Sequence, residues 1–206
     1  EWQRKAYRTA LDLDKIHHFD LVHQLNMVGY REPGYLWKLD KPLVWGPIGG
    51  FNITPWRMLC SMGLRGAVFY FSRNVINLWQ MHTNRRVKAA MQYAKALIAA
   101  TQNEADTIKG LYDRESTIIP EVGFSGKGEV YASHGKSKVL KICWSGQFTP
   151  RKSLNLLIEA AAQVQSPIEL HIIGNGACEK RWKKMAARYS QLRIEWYGWV
   201  EKAKAM

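Results

Sequence analysis

The chain has 206 residues and a formal net charge of +13, from 30 basic and 17 acidic side chains. A hydrophobic share of 47% beside 23% charged residues is typical of a globular protein, and it excludes a disordered or fibrous chain. No apolar run reaches the roughly 18 residues that a membrane span needs. The charge favours anionic partners, which are nucleic acid, phosphorylated small molecules or an acidic membrane surface.

Three cysteines, Cys60, Cys143 and Cys178, lie far apart and lack the C-x-x-C spacing of zinc sites and redox pairs. We therefore expect free thiols in a reducing, cytoplasmic setting. Cys143 stands among apolar residues of a predicted strand, which predicts a core position. The first and last residues both fall within predicted helices, so we expect the chain to be a fragment of a longer protein.

Strands and helices are predicted to alternate along the N-terminal half. Helices are predicted over residues 2–15 and 102–112, strands over residues 19–22, 43–45, 95–101 and 116–120, and mostly helix over residues 56–94. Thr101 or Asn103 is the expected N-cap of the helix over residues 102–112. The aromatic-rich region 56–94 is predicted to be a buried helix pair, with an amphipathic membrane-facing surface as the alternative.

The C-terminal half has a cleaner pattern. The stretch "SGKGEVYASHGKSK" (residues 125–138) has the composition of a linker, which predicts two domains over residues 1–130 and 131–206. A strand, helix, strand, helix and strand then follow in "KVLKICWSG", "KSLNLLIEAAAQV", "IELHIIGNG", "CEKRWKKMAARY" and "LRIEWYGWV". This alternation predicts an α/β fold with a doubly wound parallel sheet.

Small and polar residues follow each of the three C-terminal strands. These residues are Ser145, Gly146 and Gln147, then Gly174, Asn175 and Gly176, then Gly198, Trp199 and Val200. Ligands of open parallel sheets bind beyond the carboxyl ends of the strands, and glycine lets a ligand lie against backbone. Ordinary turn geometry is the alternative explanation of these glycines.

Arg151 and Lys152 stand at the predicted start of a helix, where the backbone N–H groups and the helix dipole already favour an anion. Two cations there predict a phosphate or diphosphate site, with solvated charges as the alternative. The glycine spacing matches neither a Walker loop nor a Rossmann dinucleotide fingerprint.

Candidates in the N-terminal half are fewer. His23 ends the predicted strand over residues 19–22, and either a role in the site or a structural role fits it. Gly49 and Gly50 lie in a glycine-rich loop after a strand, a pattern that recurs at phosphate sites. Glu121 follows a strand end and is a weaker candidate, whereas Glu104 is expected only to suit the helix dipole.

Seven motifs in a fixed order carry a family resemblance: "FDLVHQLN", "PLVWGPIGG", "ALIAATQNEADTI", "TIIPEVGF", "WSGQFTPRKSLNLLIEA", "ELHIIGNG" and "IEWYGWV". Together they resemble glycosyltransferase family 4, whose members are retaining enzymes with the GT-B fold. The resemblance implies two Rossmann-like parallel-sheet domains, both truncated here. Acceptors bind mainly to the N-terminal domain of that family and nucleotide sugars to the C-terminal one.

The family resemblance also implies roles for individual residues. Lys152 resembles the lysine that contacts the donor diphosphate together with Gly146, while Gln147 stands where an arginine is common, so Arg151 could supply the second charge. Gly174, Asn175, Gly176 and Val200 resemble the nucleotide loops, His23 the catalytic-site histidine, and Gly49 and Gly50 an acceptor or donor loop. The family's E-x7-E segment would follow Met206, so we expect no activity from this chain alone.

The implied reaction moves a sugar from UDP- or GDP-sugar to a hydroxyl of a carbohydrate or lipid-linked acceptor, in polysaccharide or glycolipid synthesis. No metal or other cofactor and no nucleic acid are expected, and the expected location is the cytoplasm, with peripheral contact to the inner face of an anionic membrane. The alternatives are a nucleotide-sugar epimerase or phosphorylase of the same architecture, or a basic polyanion- or membrane-binding module.

Overall fold

The computed structural model describes residues 1–25, 29–123 and 139–201. The chain divides into two compact units, Glu1–Ile53 with Arg73–Gly126, and Thr54–Ser72 with Lys127–Met206. The predicted linker over residues 125–138 lies outside the described residues, so the predicted boundary between residues 130 and 131 stays a prediction. Thr54–Ser72 belongs to the second unit although it lies within the N-terminal part of the sequence.

The first unit contains a parallel sheet of four strands in the order β1-β2-β3-β4. The strands are β1 (Val22–Gln24), β2 (Leu43–Ile48), β3 (Ala96–Ala99) and β4 (Thr117–Ile118). The helices are α1 (Trp2–His17), α2 (Gly63–Thr83), of which the first ten residues belong to the second unit, α3 (Arg85–Tyr93) and α4 (Gln102–Tyr112).

A continuous hydrophobic core holds this first unit together. Trp45 of β2 and Ile108 of α4 are fully buried in it, and the rings of Tyr30 and Phe51 stack with centroids 4.2 Å apart. Of the two predicted N-caps, Thr101 rather than Asn103 caps α4, by accepting a hydrogen bond from the Glu104 N–H.

The second unit contains a parallel sheet in the order β5-β6-β7. Its elements are β5 (Leu140–Ser145), α5 (Leu154–Gln163), β6 (Ile168–Ile173), α6 (Glu179–Ala186) and β7 (Arg193–Gly198). The helices cover one face of the sheet, where Ile142 and Trp144 pack against the core. Cys143 points the other way and is exposed, so its predicted core position is wrong, because side chains alternate along a strand.

The structure shifts two predicted element boundaries that bear on the site. β1 begins at Val22 rather than at residue 19, so His23 lies inside the strand instead of after it. A 3₁₀ turn, Pro150–Lys152, precedes α5, and Ser153 between them adopts the left-handed conformation with φ of 48°. A proline can open such a turn but the left-handed residue stops it from continuing as one helix.

Helix α2 buries polar side chains and exposes apolar ones. Asn74 and Asn77 are fully buried, and the Tyr30 hydroxyl donates to Asn77 Oδ1 at 2.7 Å. Leu64 and Trp79, in contrast, are 83% and 64% exposed. The prediction that this region is a buried helix pair is therefore wrong for the outward side of α2. A separate finding is that none of the described helices is long and apolar enough to cross a membrane.

Candidate functional site

The carboxyl ends of β5, β6 and β7 meet at one edge of the second sheet and border a cavity of about 370 Å³. Its lining residues are Ser145, Gly146, Gln147, Ile173, Gly174, Asn175, Trp199 and Val200. Most of the residues that were predicted from the strand ends therefore lie around one cavity, because parallel strands place their carboxyl ends on the same side.

Main-chain hydrogen bonds join the three strand-end loops to one another. The Gly146 N–H donates to Ile173 O at 3.0 Å, and the Phe148 N–H donates to Asn175 O at 2.7 Å. The Gly174 N–H donates to Gly198 O at 2.6 Å. The N–H groups of Gly146 and Gly174 already donate to carbonyl oxygens of the protein, so they are not free to donate to a ligand. These glycines can still help a ligand to bind, because without a side chain they let it lie close to the backbone.

Glycine is required where the first two loops touch. Gly174 has φ of 132°, and a Cβ built on it would lie 1.9 Å from Gly146 O. Gly176 has φ of 148°, and its Cβ would lie 2.8 Å from Phe148 O. Any larger residue would force these loops apart, so the close contact between the two loops depends on these two glycines.

The sequence predicted Arg151 and Lys152 at the start of α5, and this prediction is wrong. They lie in the 3₁₀ turn before it, both are exposed, and neither lines the cavity. Neither side chain forms a hydrogen bond or ion pair with other residues in the described parts of the chain. Two positive charges without an ion-pair partner among the described residues therefore stand between the loop that borders the cavity and the N-terminus of α5.

Sequence reasoning missed the packing that holds this turn. A Cβ on Gly66 would lie 3.1 Å from Pro150 Cβ, so the start of α2 lies directly against the turn. Arg181 of α6 donates to Ser61 O at 2.8 Å, which fixes the preceding segment. The contacts join residues more than 80 positions apart, and no local pattern in the sequence indicates them.

In the first unit, His23 lines a second cavity, of about 500 Å³, together with Trp2 and Ala6 of α1 and Tyr35. His23 Nε2 lies 3.1 Å from Gly46 O. The hydroxyl of Tyr35 accepts hydrogen bonds from Arg4 and from Arg86. These bonds lower the pKa of the phenol, and the bond from Arg4 has the larger effect.

The buried carboxylate of Glu104 organises the loop that contains Gly49 and Gly50. One of its oxygens accepts from the Gly50 N–H at 2.8 Å and from Asn52 Nδ2 at 3.3 Å, and the other accepts from the Thr101 hydroxyl at 3.1 Å. Glu104 is only 3% exposed, so its role exceeds the helix-dipole role that was expected. A buried acid is rare unless it is paired, and the hydrogen bonds from Gly50, Asn52 and Thr101 meet that requirement.

Glu121, the weaker candidate of the first unit, lies at the same loop. A Cβ on Gly49 would lie 2.9 Å from its carboxylate oxygen. The first unit therefore brings together Gly49, Gly50, Glu104 and Glu121, while His23 lines the cavity of about 500 Å³. Within the described ranges, no three or more His, Cys, Asp or Glu side chains are placed to hold a metal ion.

Residues 129–206 match the family model described as glycosyl transferases group 1. No curated protein matches the sequence. Among solved structures, the lipopolysaccharide outer core galactosyltransferase WaaB in its apo form is 13% identical with a TM-score of 0.65, over 98% of this chain and 50% of that one. Anabaena HepE in complex with UDP is 17% identical with a TM-score of 0.55, over 96% of this chain and 51% of that one.

At these identities the likeness shows the fold alone. It confirms the predicted fold class, which is α/β and GT-B-like, with two Rossmann-like units built on parallel sheets. The chain spans about half the length of the solved structures that it matches. The family match supports a glycosyltransferase domain in the C-terminal part.

Proposed function

We propose that the whole protein is a retaining glycosyltransferase of family 4 that moves a sugar from a nucleoside-diphosphate sugar to a hydroxyl acceptor. The observation that carries the proposal is the cavity of about 370 Å³ at the ends of β5, β6 and β7, in the part of the chain that matches the glycosyltransferase model. Backbone at Gly146, Gly174 and Val200 would lie against the nucleotide, because none of these positions places a bulky polar side chain there.

The chemical task is to stabilise the negative charge that develops on the leaving diphosphate. Lys152, with Arg151 as the second cation, would do this through charge-assisted hydrogen bonds to phosphate oxygens. Gln147 can donate a neutral hydrogen bond where an arginine would add a charge, so Arg151 gains importance here. We propose that no metal is needed, and that transfer is therefore unaffected by a chelator such as EDTA.

UDP is the favoured nucleotide, since Anabaena HepE, one of the similar structures, was solved in complex with UDP and with UDP and glucose. GDP is the alternative. The first unit would receive a carbohydrate or lipid-linked acceptor, with His23 near the transferred sugar and Gly49 and Gly50 in a loop facing acceptor or donor. The proposed setting is polysaccharide or glycolipid synthesis in the cytoplasm, at the inner face of the membrane.

Product analysis with a labelled nucleotide sugar tests the reaction in the whole protein. A glycosylated acceptor with the donor's anomeric configuration, formed in EDTA, is the expected product. A free epimerised nucleotide sugar would instead indicate an epimerase, and a sugar phosphate a phosphorylase. We expect no transfer from the 206-residue chain alone.

A basic polyanion-binding module is the second candidate, since the net charge is +13. It predicts binding to any polyanion that weakens steeply as salt rises. The proposed nucleotide site instead predicts selective, saturable binding. One nucleoside diphosphate should bind with higher affinity than inorganic polyphosphate at the same salt concentration.

A further inference from the structure

One side of the start of α2 is apolar although it faces solvent. Leu64, Val68 and Phe71 are 83%, 58% and 52% exposed, and their spacing of four and three residues puts them on one side of the helix. Trp56 joins them, since its ring meets the Phe71 ring edge-on with centroids 5.6 Å apart. These four residues, all in the second unit, are called the apolar face below.

The opposite side of this segment is anchored, which fixes the outward direction of the apolar face. Gly66 lies against Pro150, and Arg181 donates to Ser61 O at 2.8 Å and to Met62 O at 2.5 Å. The segment cannot rotate to bury its apolar side chains without breaking these contacts. The exposure is therefore built into the unit and does not come from a loosely attached helix.

The segment that carries the apolar face is positively charged. Residues Thr54–Ser72 contain no Asp or Glu, but they contain Arg57 and Arg65. Arg57 and Arg65 are exposed and lie next to apolar-face residues in the sequence. A ligand for this surface has to accept apolar side chains and supply negative charge.

We propose that the apolar face docks on an anionic lipid surface. Trp and Phe side chains are favoured at the boundary between lipid headgroups and acyl chains, and neighbouring arginines are attracted by anionic headgroups. A second copy of the chain is a poorer occupant, because pairing two such faces would bring Arg57 and Arg65 of both copies together without a carboxylate from this segment. This proposal rests on the membrane setting of the proposed function and names the surface that would make the contact, while the transferase activity itself is tested separately.

Vesicle co-sedimentation of the 206-residue chain tests this docking surface. The probes are phosphatidylcholine vesicles with and without phosphatidylglycerol at a ratio of roughly 7:3. We expect binding to the anionic vesicles and at least a tenfold loss in the double variant Leu64→Ser, Phe71→Ser. Arg57→Ala with Arg65→Ala should weaken binding to the anionic vesicles by roughly fivefold per arginine.

Two control variants change exposed residues elsewhere in the second unit. Val164→Ser removes a side chain that is 50% exposed, and Arg188→Ala removes an exposed arginine, so both should bind like the unchanged chain. Circular dichroism and melting curves show whether each variant is folded. The proposal would be overturned if the unchanged chain did not bind the anionic vesicles. It would also be overturned if the Leu64→Ser, Phe71→Ser variant bound them as well as the Val164→Ser control.

A self-association experiment tests whether a second copy of the chain, rather than lipid, covers the apolar face. If sedimentation velocity without lipid finds a dimer that Leu64→Ser, Phe71→Ser converts to a monomer, the apolar face is an interface between copies and the lipid proposal is wrong. Nucleotide titration of the same variants is a separate readout, because Leu64 and Phe71 lie outside the cavity at the strand ends. Failure of the docking surface and failure of the nucleotide site are thereby distinguishable.

Discussion

At the scale of single residues, Gly174 is the position where the backbone of the candidate site tolerates least change. Its φ of 132° disfavours every L side chain, and a Cβ would meet Gly146 O at 1.9 Å. Gly198 offers a matched comparison, because its φ of 69° is also left-handed but no atom lies within 4 Å of its would-be Cβ.

We expect Gly174→Ala to lower the free energy of unfolding by more than about 2 kcal/mol, since backbone strain and steric overlap add. Gly198→Ala should cost about 1 kcal/mol, from the left-handed conformation alone. Urea unfolding of both variants measures the difference. Equal losses in the two variants would show that the contact with Gly146 O is relieved at no cost.

The three cysteines should differ sharply in reactivity. Cys60 and Cys143 are exposed, whereas Cys178 is buried and its burial raises the pKa of the thiol. We expect two thiols to react quickly with a disulfide reagent at pH 8, and Cys178 to react only as the protein unfolds. Replacement of Cys143 by Ser should remove one fast thiol; an unchanged fast count would place Cys143 in the core after all.

The sequence predicted which residues lie at the strand ends of the second unit, but it did not predict the local geometry of the turn that follows β5. The sequence located Gly146, Gly174 and Val200 correctly at strand ends, because strand alternation and glycine placement are local signals. It misplaced Arg151 and Lys152, because the left-handed Ser153 that separates their turn from α5 has no signature in a single sequence. Their roles toward a diphosphate stay predictions.

At the scale of elements, Glu104 links helix α4 to the loop after β2. Its carboxylate accepts hydrogen bonds from Gly50, Asn52 and Thr101, so the loop's position depends on one side chain. The loop carries Gly49 and Gly50, the residues predicted to face acceptor or donor.

Glu104→Ala should lower the free energy of unfolding by about 2 kcal/mol, because it removes the hydrogen bonds that the buried carboxylate accepts, including the one from the half-buried Gly50 N–H. Glu104→Gln keeps one acceptor oxygen, so its free energy of unfolding should fall between those of Glu104→Ala and the unchanged chain. Asp106→Ala, on the exposed side of the same helix, should change stability by less than about 0.5 kcal/mol. Thermal or urea unfolding compares the three variants, and a similar loss for Asp106→Ala would contradict the role of Glu104.

Elements with a clear period were the ones that sequence reasoning found. The strands and helices from β5 to β7 follow the predicted order, because apolar runs and helical periods there are regular. The region of α2 defeated the prediction, since its buried side carries Asn74 and Asn77 while its outward side is apolar. An amphipathic pattern shows that a helix has two sides, but it does not tell which side is buried.

At the scale of the whole molecule, the chain combines two parallel-sheet units with a strongly positive charge. The association of Thr54–Ser72 with the second unit depends on contacts of Gly66, Ser61 and Met62 with residues far along the chain. Such contacts are fixed by three-dimensional packing, which explains why a division at one point of the sequence could not predict them.

The most direct test of the central claim is calorimetric titration of the chain with UDP, GDP and ADP. We expect saturable binding of UDP or GDP at one site and a Kd that is roughly 10- to 150-fold higher for Lys152→Ala, since a hydrogen bond to a charged group contributes about 1.5–3 kcal/mol. Lys184→Ala, an exposed lysine outside the cavity lining, should bind like the unchanged chain. Absence of saturable binding, or an unchanged Kd in Lys152→Ala, would contradict the proposed nucleotide site.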